Sequence, residues 1–380
     1  MTNAVTRGEA NEAASATGEK SGGRKRPSFH VLKVGALDRI TDDAVAITFE
    51  VPEELREEYS YRAGQHVAVR ATIAGDDVRR NYSICAPEGS GVLRIGVKRL
   101  ADGVFSNFAI ERLRVGDGIE VLSPSGSFIA DVEPGQGHHY GAVAAGSGIT
   151  PILSILSTAL ASDPTARATL IFVNVSTNSI MFLEEIEDLK NAHLGRFQVF
   201  NVLDGERSET EVLSGRLDAE RLTRILDGAG GKPVDSWYLC GPLPMTDMVR
   251  DTLIARGVPA EDIHRELFHT SSTPPAPRAR VSAEIVDKGS KVTVLLDGRA
   301  TEFTLPPNTE SILDAVRALR SEVPYACKNG VCGTCRCTLV EGTVEMAQNY
   351  ALEADEVEAG YVLACQSYPT SQKVTVDFDR

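Results

Sequence analysis

The 380-residue sequence has no excess of positive charge: 39 Lys and Arg stand against 53 Asp and Glu, a formal net charge of −14. Nucleic acid and anionic membranes both need basic surface, so neither is expected as a partner. An acidic surface suits a basic protein partner and equally suits solubility alone. The chain also lacks an uninterrupted apolar run long enough to cross a bilayer. Its most apolar stretch, residues 140–161, is broken by Gly146-Ser147-Gly148 and by Pro151. That punctuation fits a strand, a tight loop and a helix. Residues 1–27 lack the apolar centre of a secretory signal and hold too much Glu for a transit peptide. They read as a disordered tail ending in Arg24-Lys25-Arg26, and the chain is expected in the cytoplasm. There are no internal repeats.

Cysteine is scarce and unevenly placed. Of seven, an odd number, four fall within residues 327–337. Clustering of this kind in a chain with no secretion signal points to a metal site over disulfides.

Three segments come after the tail. Residues 28–133 alternate apolar and polar positions in short runs (45–51, 66–69, 93–97) between turns such as Ala74-Gly75-Asp76-Asp77 and Pro124-Ser125-Gly126, which predicts a β-barrel. Across 134–270 the rhythm becomes strand then helix. Runs 140–145, 169–174, 197–202 and 236–240 read as buried strands, and 151–160, 181–190 and 245–256 as helices, which predicts an α/β unit with a parallel sheet. Residues 271–280 form a proline-rich linker, and 281–380 an α+β unit with strands at 291–297, 300–305 and 373–378 and a helix at 311–319.

The strongest motif is Cys327-x4-Cys332-x2-Cys335 with Cys365 further on. This is plant-type [2Fe–2S] spacing: three thiolates wrap the cluster on one loop and a distant fourth closes it. Gly330 and Gly333 let the backbone turn tightly enough to aim N–H groups at the sulfurs. A structural zinc site would more often use paired C-x2-C hairpins. Cys337 lies outside the spacing and reads as a packed thiol.

Gly146-Ser147-Gly148-Ile149-Thr150-Pro151 follows a predicted strand and opens a helix, an arrangement suited to a pyrophosphate. A second strand ends in Cys240-Gly241-Pro242, where the chain could lie against a nicotinamide ring; Cys240 also fits a plain buried thiol. In the barrel, Arg80 suits a phosphate, Tyr82 a planar ring and the Ser83 hydroxyl a ring nitrogen. Ser106, with the backbone from Gly103 to Asn107, suits a pyrophosphate. Taken singly these are unspecific, and Tyr82 on a strand fits ordinary packing.

Together, Arg80-x-Tyr82-Ser83, Gly146-x-Gly148-x-Thr150-Pro151 and Cys240-Gly241-Pro242 resemble the ferredoxin–NADP reductase superfamily in order and spacing. With the plant-type cysteine loop, the chain after residue 27 resembles the family of phenylacetyl-CoA epoxidase reductase subunits. The matching segments include Gly64-Gln65-His66, Arg79-Arg80-Asn81-Tyr82-Ser83-Ile84-Cys85, Val323-Pro324-Tyr325-Ala326-Cys327 and Gly360-Tyr361-Val362-Leu363-Ala364-Cys365. The resemblance implies a β-grasp fold for the third unit. It implies FAD on the barrel, with Arg80 and Ser106 on its pyrophosphate, Tyr82 along the isoalloxazine, Ser83 near N5, and Asn81, Val97, Lys98 and Gly103 completing the set. It implies NADPH at Gly146–Thr150, with the nicotinamide near Cys240, Gly241 and Pro242, and Glu266, in the segment His264–Phe268 where the family ends its reductase module, as a supporting group near the flavin. Val175 stands where the family often has an arginine for the 2′-phosphate, and no Asp or Glu adjoins it in sequence. NADPH is therefore expected through Ser176, Thr177 and Arg216, with NADH as the alternative. The implied function is electron transfer from NADPH through FAD to [2Fe–2S], and on to the oxygenase component of a multisubunit phenylacetyl-CoA epoxidase. Two alternatives share parts of the pattern: the reductase of a Rieske-type ring or steroid hydroxylase, and a non-enzymatic metal-binding or redox-sensing protein.

Overall fold

The structure, a computed structural model, describes residues 4–7, 28–207, 210–230, 233–268, 285, 288–352 and 354–379. The linker expected at 271–280 lies outside them, as does most of the tail. The chain divides into two compact units, Pro27–Ser271 and Met1–Arg26 with Ser272–Arg380. Among the described residues no helix is long and apolar enough to cross a membrane.

The first strand, β1 (Ala4–Arg7), belongs to the second of these units. Where a disordered tail is expected, these four residues pair antiparallel with the 336–346 strand, Val5 opposite Val344. The physical reason is that Val5 reaches a buried place in that unit's core and an open strand edge gains backbone partners.

The barrel comes next: β2 (Phe29–Thr41), β3 (Ala44–Glu50), β4 (His66–Ile73), β5 (Asp76–Ser83), β6 (Leu93–Lys98) and β7 (Gly118–Leu122), with α1 (Val104–Glu111) after β6. Its strand order is β5-β4-β7-β2-β3-β6, and an antiparallel bridge between Ile84 and Ile95 joins the two ends. Alternation sends Val45, Ile47, Phe49, Ile95 and Val97 into one core.

Five strands then form a parallel sheet: β8 (His139–Ala145), β9 (Arg167–Asn174), β10 (Phe197–Leu203), β11 (Ser236–Gly241) and β12 (Ile263–Leu267). Their order is β10-β9-β8-β11-β12, so the connection reverses direction between β8 and β11. Helices α2 (Ile149–Ser162), α3 (Leu183–Ala192), α4 (Ala219–Gly228) and α5 (Leu243–Ala255) cover the sheet. Every α2 residue from Ile149 to Leu160 is buried. A helix apolar all round must be enclosed, and α2 lies between sheet and barrel: Ser154 Oγ donates to Ala86 O at 2.7 Å and Thr158 Oγ1 accepts from Glu88 N–H at 2.8 Å. Small residues make the approach possible; a Cβ on Gly96 would lie 2.7 Å from Thr150 Cγ2.

The second unit holds β13 (Ser290–Leu296), β14 (Arg299–Leu305), α6 (Ile312–Arg317), β15 (Arg336–Met346), α7 (Ala354–Glu358), β16 (Tyr361–Leu363), β17 (Ser367–Pro369) and β18 (Lys373–Asp377). Strands β13 and β14 form a hairpin around Asp297-Gly298, both at positive φ, as a two-residue turn of this hand needs. The Asp379 carboxylate accepts both turn N–H groups at 2.9 and 2.8 Å. Parallel pairing of β13 with β18 in a mixed sheet carrying a helix is the β-grasp arrangement expected.

Candidate functional site

The reversal point of a parallel sheet opens a crevice at the carboxyl ends of its strands, and both glycine motifs sit there. Residues Gly146–Gly148 form a tight turn after β8 and pass into α2, whose N-terminus has no side-chain cap. Residues Gly241 and Pro242 end β11, the neighbouring strand, and lead into α5. The two loops touch: a Cβ on Gly148 would lie 2.2 Å from the Cys240 carbonyl oxygen, so only glycine fits. Thr150 is buried and its hydroxyl donates to Ser147 O at 3.0 Å, holding the turn.

Cys240 is fully buried, and burial first, then the nearby Glu266 charge, pushes its thiol well above its ordinary pKa. It is a neutral thiol at physiological pH. Cys240 and Glu266 are register partners on β11 and β12. From the barrel, Ser83 Oγ donates to Glu266 Oε2 at 3.0 Å across 183 residues of sequence. Ser83 and Cys240 thus each lie beside Glu266.

A fourth residue joins them that no motif assigned a role. His66 on β4 is buried, with Nδ1 3.8 Å from Glu266 Oε1 and Nε2 3.5 Å from Ser125 Oγ. Gly126 makes room for it, since a Cβ there would lie 2.8 Å from His66 Nδ1. The available signal was a histidine at the start of a barrel strand, directly after Gly64-Gln65.

The residues expected to hold a flavin lie on β5, on β6 and around the start of α1. The Tyr82 ring packs on Phe105 of α1 with centroids 5.5 Å apart, and burial raises its phenol pKa. Arg80 is exposed, and its Nη1 donates to Arg79 O at 2.7 Å. Ser106 turns inward: its Oγ donates to Gly103 O at 3.2 Å and accepts Leu100 N–H at 3.2 Å. It braces the loop, leaving Gly103 and the uncapped N-terminus of α1 to face a ligand. Val97 is buried in the barrel core and offers only backbone, while Lys98 pairs with Asp43 at 3.6 Å. Asn81 lies between Arg80 and Tyr82 on β5, opposite Ala68.

Two of the three residues expected to take a 2′-phosphate, Ser176 and Thr177, are already engaged. Ser176 N–H donates to Ser179 Oγ at 3.0 Å, and Thr177 gives its N–H and hydroxyl to Glu206 at 2.7 and 3.3 Å. Glu206 lies just beyond β10 and is a carboxylate that nearness in sequence did not reveal. Arg216 is exposed beyond it.

In the second unit the four cysteines form two pairs. The Cys327 thiol is pulled down to about 7, first by a hydrogen bond with Cys332, and the Cys335 thiol is pushed well up, first by a hydrogen bond with Cys365. Backbone amides point at the sulfurs, with Asn329 N 3.4 Å from Cys327 Sγ and Cys365 N 3.5 Å from Cys335 Sγ. Gly330 and Gly333 both hold positive φ in the loop. Among the described residues no three metal-ligating side chains converge as a single ion requires. Three thiols on one loop with Cys365 beyond it suit two irons. Cys337 packs in the core with Sγ 3.7 Å from Val362 O, and burial raises its pKa.

Comparison with known proteins matches three families in sequence order. Residues 32–129 match the oxidoreductase FAD-binding domain, 142–251 the oxidoreductase NAD-binding domain, and 294–370 the 2Fe-2S iron-sulfur cluster binding domain. A 1,2-phenylacetyl-CoA epoxidase subunit from Escherichia coli (strain K12) is 41% identical over 355 residues, 93% of this chain and 98% of that protein. The ferredoxin reductase component of 3-ketosteroid-9-alpha-monooxygenase from Rhodococcus rhodochrous is 34% identical, over 92% of this chain and 96% of that one. Among solved structures, phthalate dioxygenase reductase superposes with a TM-score of 0.56 at 24% identity, covering 92% of this chain and 98% of that one.

Proposed function

Because this chain belongs to the ferredoxin–NADP reductase superfamily, in the branch of oxygenase reductases that carry a 2Fe-2S domain, we propose that it serves the oxygenase component of a phenylacetyl-CoA epoxidase. The supporting observation is the 41% identity to the epoxidase subunit over nearly the whole of both chains. FAD, when bound, takes a hydride as two electrons and delivers them singly, which suits a cluster that holds one at a time.

The chain's own residues orient and insulate. Gly148 lets the two loops at the reversal point close on each other, Gly146 leaves open space beside its backbone for a coenzyme, and the buried Cys240 adds no charge there. Ser83 presents its hydroxyl to the ring site and is fixed by Glu266, which His66 borders. The paired thiols of Cys327 with Cys332 and Cys335 with Cys365 would each hold one iron.

The test is reconstitution. With the epoxidase oxygenase component, the protein should support coenzyme- and oxygen-dependent consumption of phenylacetyl-CoA. The 34% identity to the 3-ketosteroid monooxygenase component makes a steroid hydroxylase the alternative partner. Turnover only with that oxygenase would replace the epoxidase assignment.

A further inference from the structure

The carboxyl ends of β9 and β10 lie side by side. Their ladder runs on past both strands: Asp204 N–H donates to Asn174 O and Gly205 N–H to Val175 O, each at 2.8 Å. Gly205 permits this, since a Cβ there would lie 3.0 Å from Val175 O. The extension brings Glu206 over the Ser176-Thr177 turn, where its two oxygens accept the Thr177 N–H at 2.7 Å and hydroxyl at 3.3 Å. The Ser176 N–H is taken by Ser179.

A ribose 2′-phosphate carries nearly two negative charges and needs donors or cations. At this turn the donors of Thr177 are already given to a carboxylate, a second carboxylate, Asp204, stands two residues away, and Val175 is 65% exposed and neutral. Arg207 comes directly after Glu206 and Arg216 lies beyond, both exposed. A free 2′-hydroxyl instead brings an O–H donor, which a carboxylate accepts; acidic residues at the end of such strands bind ribose in this way.

We infer that Glu206 selects the coenzyme: its carboxylate accepts from the ribose hydroxyls of NADH and excludes the 2′-phosphate of NADPH. This rests on the reductase assignment above, and it reverses the preference that Ser176, Thr177 and Arg216 suggest in sequence. Two readouts test it on the intact holoprotein, kcat/KM for ferricyanide reduction with each coenzyme and calorimetric binding of 5′-AMP against 2′,5′-ADP.

The wild type should favour NADH by about tenfold or more, near 1.4 kcal/mol, and should bind 5′-AMP more tightly. Glu206→Gln, with an unchanged flavin spectrum, should narrow the ratio by about tenfold through the KM for NADPH. Should that variant misfold, Val175→Arg must move the ratio toward NADPH instead. A wild-type preference for NADPH, tighter binding of 2′,5′-ADP, or a ratio that neither variant changes beyond about twofold overturns the inference. If neither coenzyme reduces the flavin while 5′-AMP still binds more tightly than 2′,5′-ADP, the reductase assignment fails and the selection by Glu206 stands.

Discussion

Replacing Ser83 with alanine removes one hydroxyl from a closed environment, where solvent can do little to compensate. Ser83 is 2% exposed and the Glu266 side chain 12% exposed, so water replaces the lost 3.0 Å hydrogen bond poorly. Hydrogen bonds to charged groups contribute about 1.5–3 kcal/mol. If half or more of that holds the reacting geometry, flavin reduction by the coenzyme should slow by about 4- to 160-fold, since each 1.36 kcal/mol is tenfold. Stopped-flow absorbance of the flavin band on mixing with excess coenzyme measures this. Glu266→Gln keeps a hydrogen-bonding partner for Ser83 but removes the charge beside His66, and should slow the same phase less. Equal rates for wild type and Ser83→Ala, within about twofold, would refute the idea that the Ser83–Glu266 contact organises this step.

Cys332→Ala should abolish cytochrome c reduction and leave ferricyanide reduction by the flavin mostly intact; loss of both would mean the carriers are not in the proposed series. Gly148→Ala forces a methyl to 2.2 Å from the Cys240 carbonyl, and should raise the coenzyme KM and lower stability by about 1–3 kcal/mol in thermal unfolding. An unaltered KM and Tm would remove Gly148 from the site. Cys337→Ala should keep the visible cluster spectrum and lower Tm only; a lost spectrum would make Cys337 a ligand. Burial pushes the Tyr61 phenol up to about 12 and raises those of Tyr59 and Tyr238 further. A folded-state pKa above the unfolded value contributes stability that is complete below about pH 10 and is lost as pH rises toward and through about 12. Tyrosinate absorbance should therefore lag and rise together with unfolding, whereas reversible ionisation of all nine tyrosines near pH 10 in folded protein would contradict this burial.

Local chemistry was legible where a few adjacent residues carry it. The cysteine spacing named the four thiols, and Gly146 to Pro151 marked a turn that only glycine can make against Cys240. Strand β9 was visible because burial on both faces leaves an apolar run. The long strand β2 was not, because register shifts between Val34 and Ala36 and between Arg39 and Thr41 break its alternation. Contacts between distant segments that no motif spans could not be read. His66 meets Glu266 across 200 positions only because the barrel packs on the parallel sheet, and Glu206 reaches Thr177 from a different strand. The four-residue strand β1 had no readable pattern of its own; its partner strand gives it order.

The central claim is that one chain joins a nicotinamide site, a flavin and a four-cysteine cluster in working order. Anaerobic addition of coenzyme to the purified holoprotein, followed by absorption and EPR, tests it most directly. Flavin bleaching together with the EPR signal of a one-electron-reduced cluster, with about two irons and two sulfides per chain, is the expected result. A protein that holds zinc without sulfide, or whose flavin bleaches while the cluster stays oxidised, would contradict it.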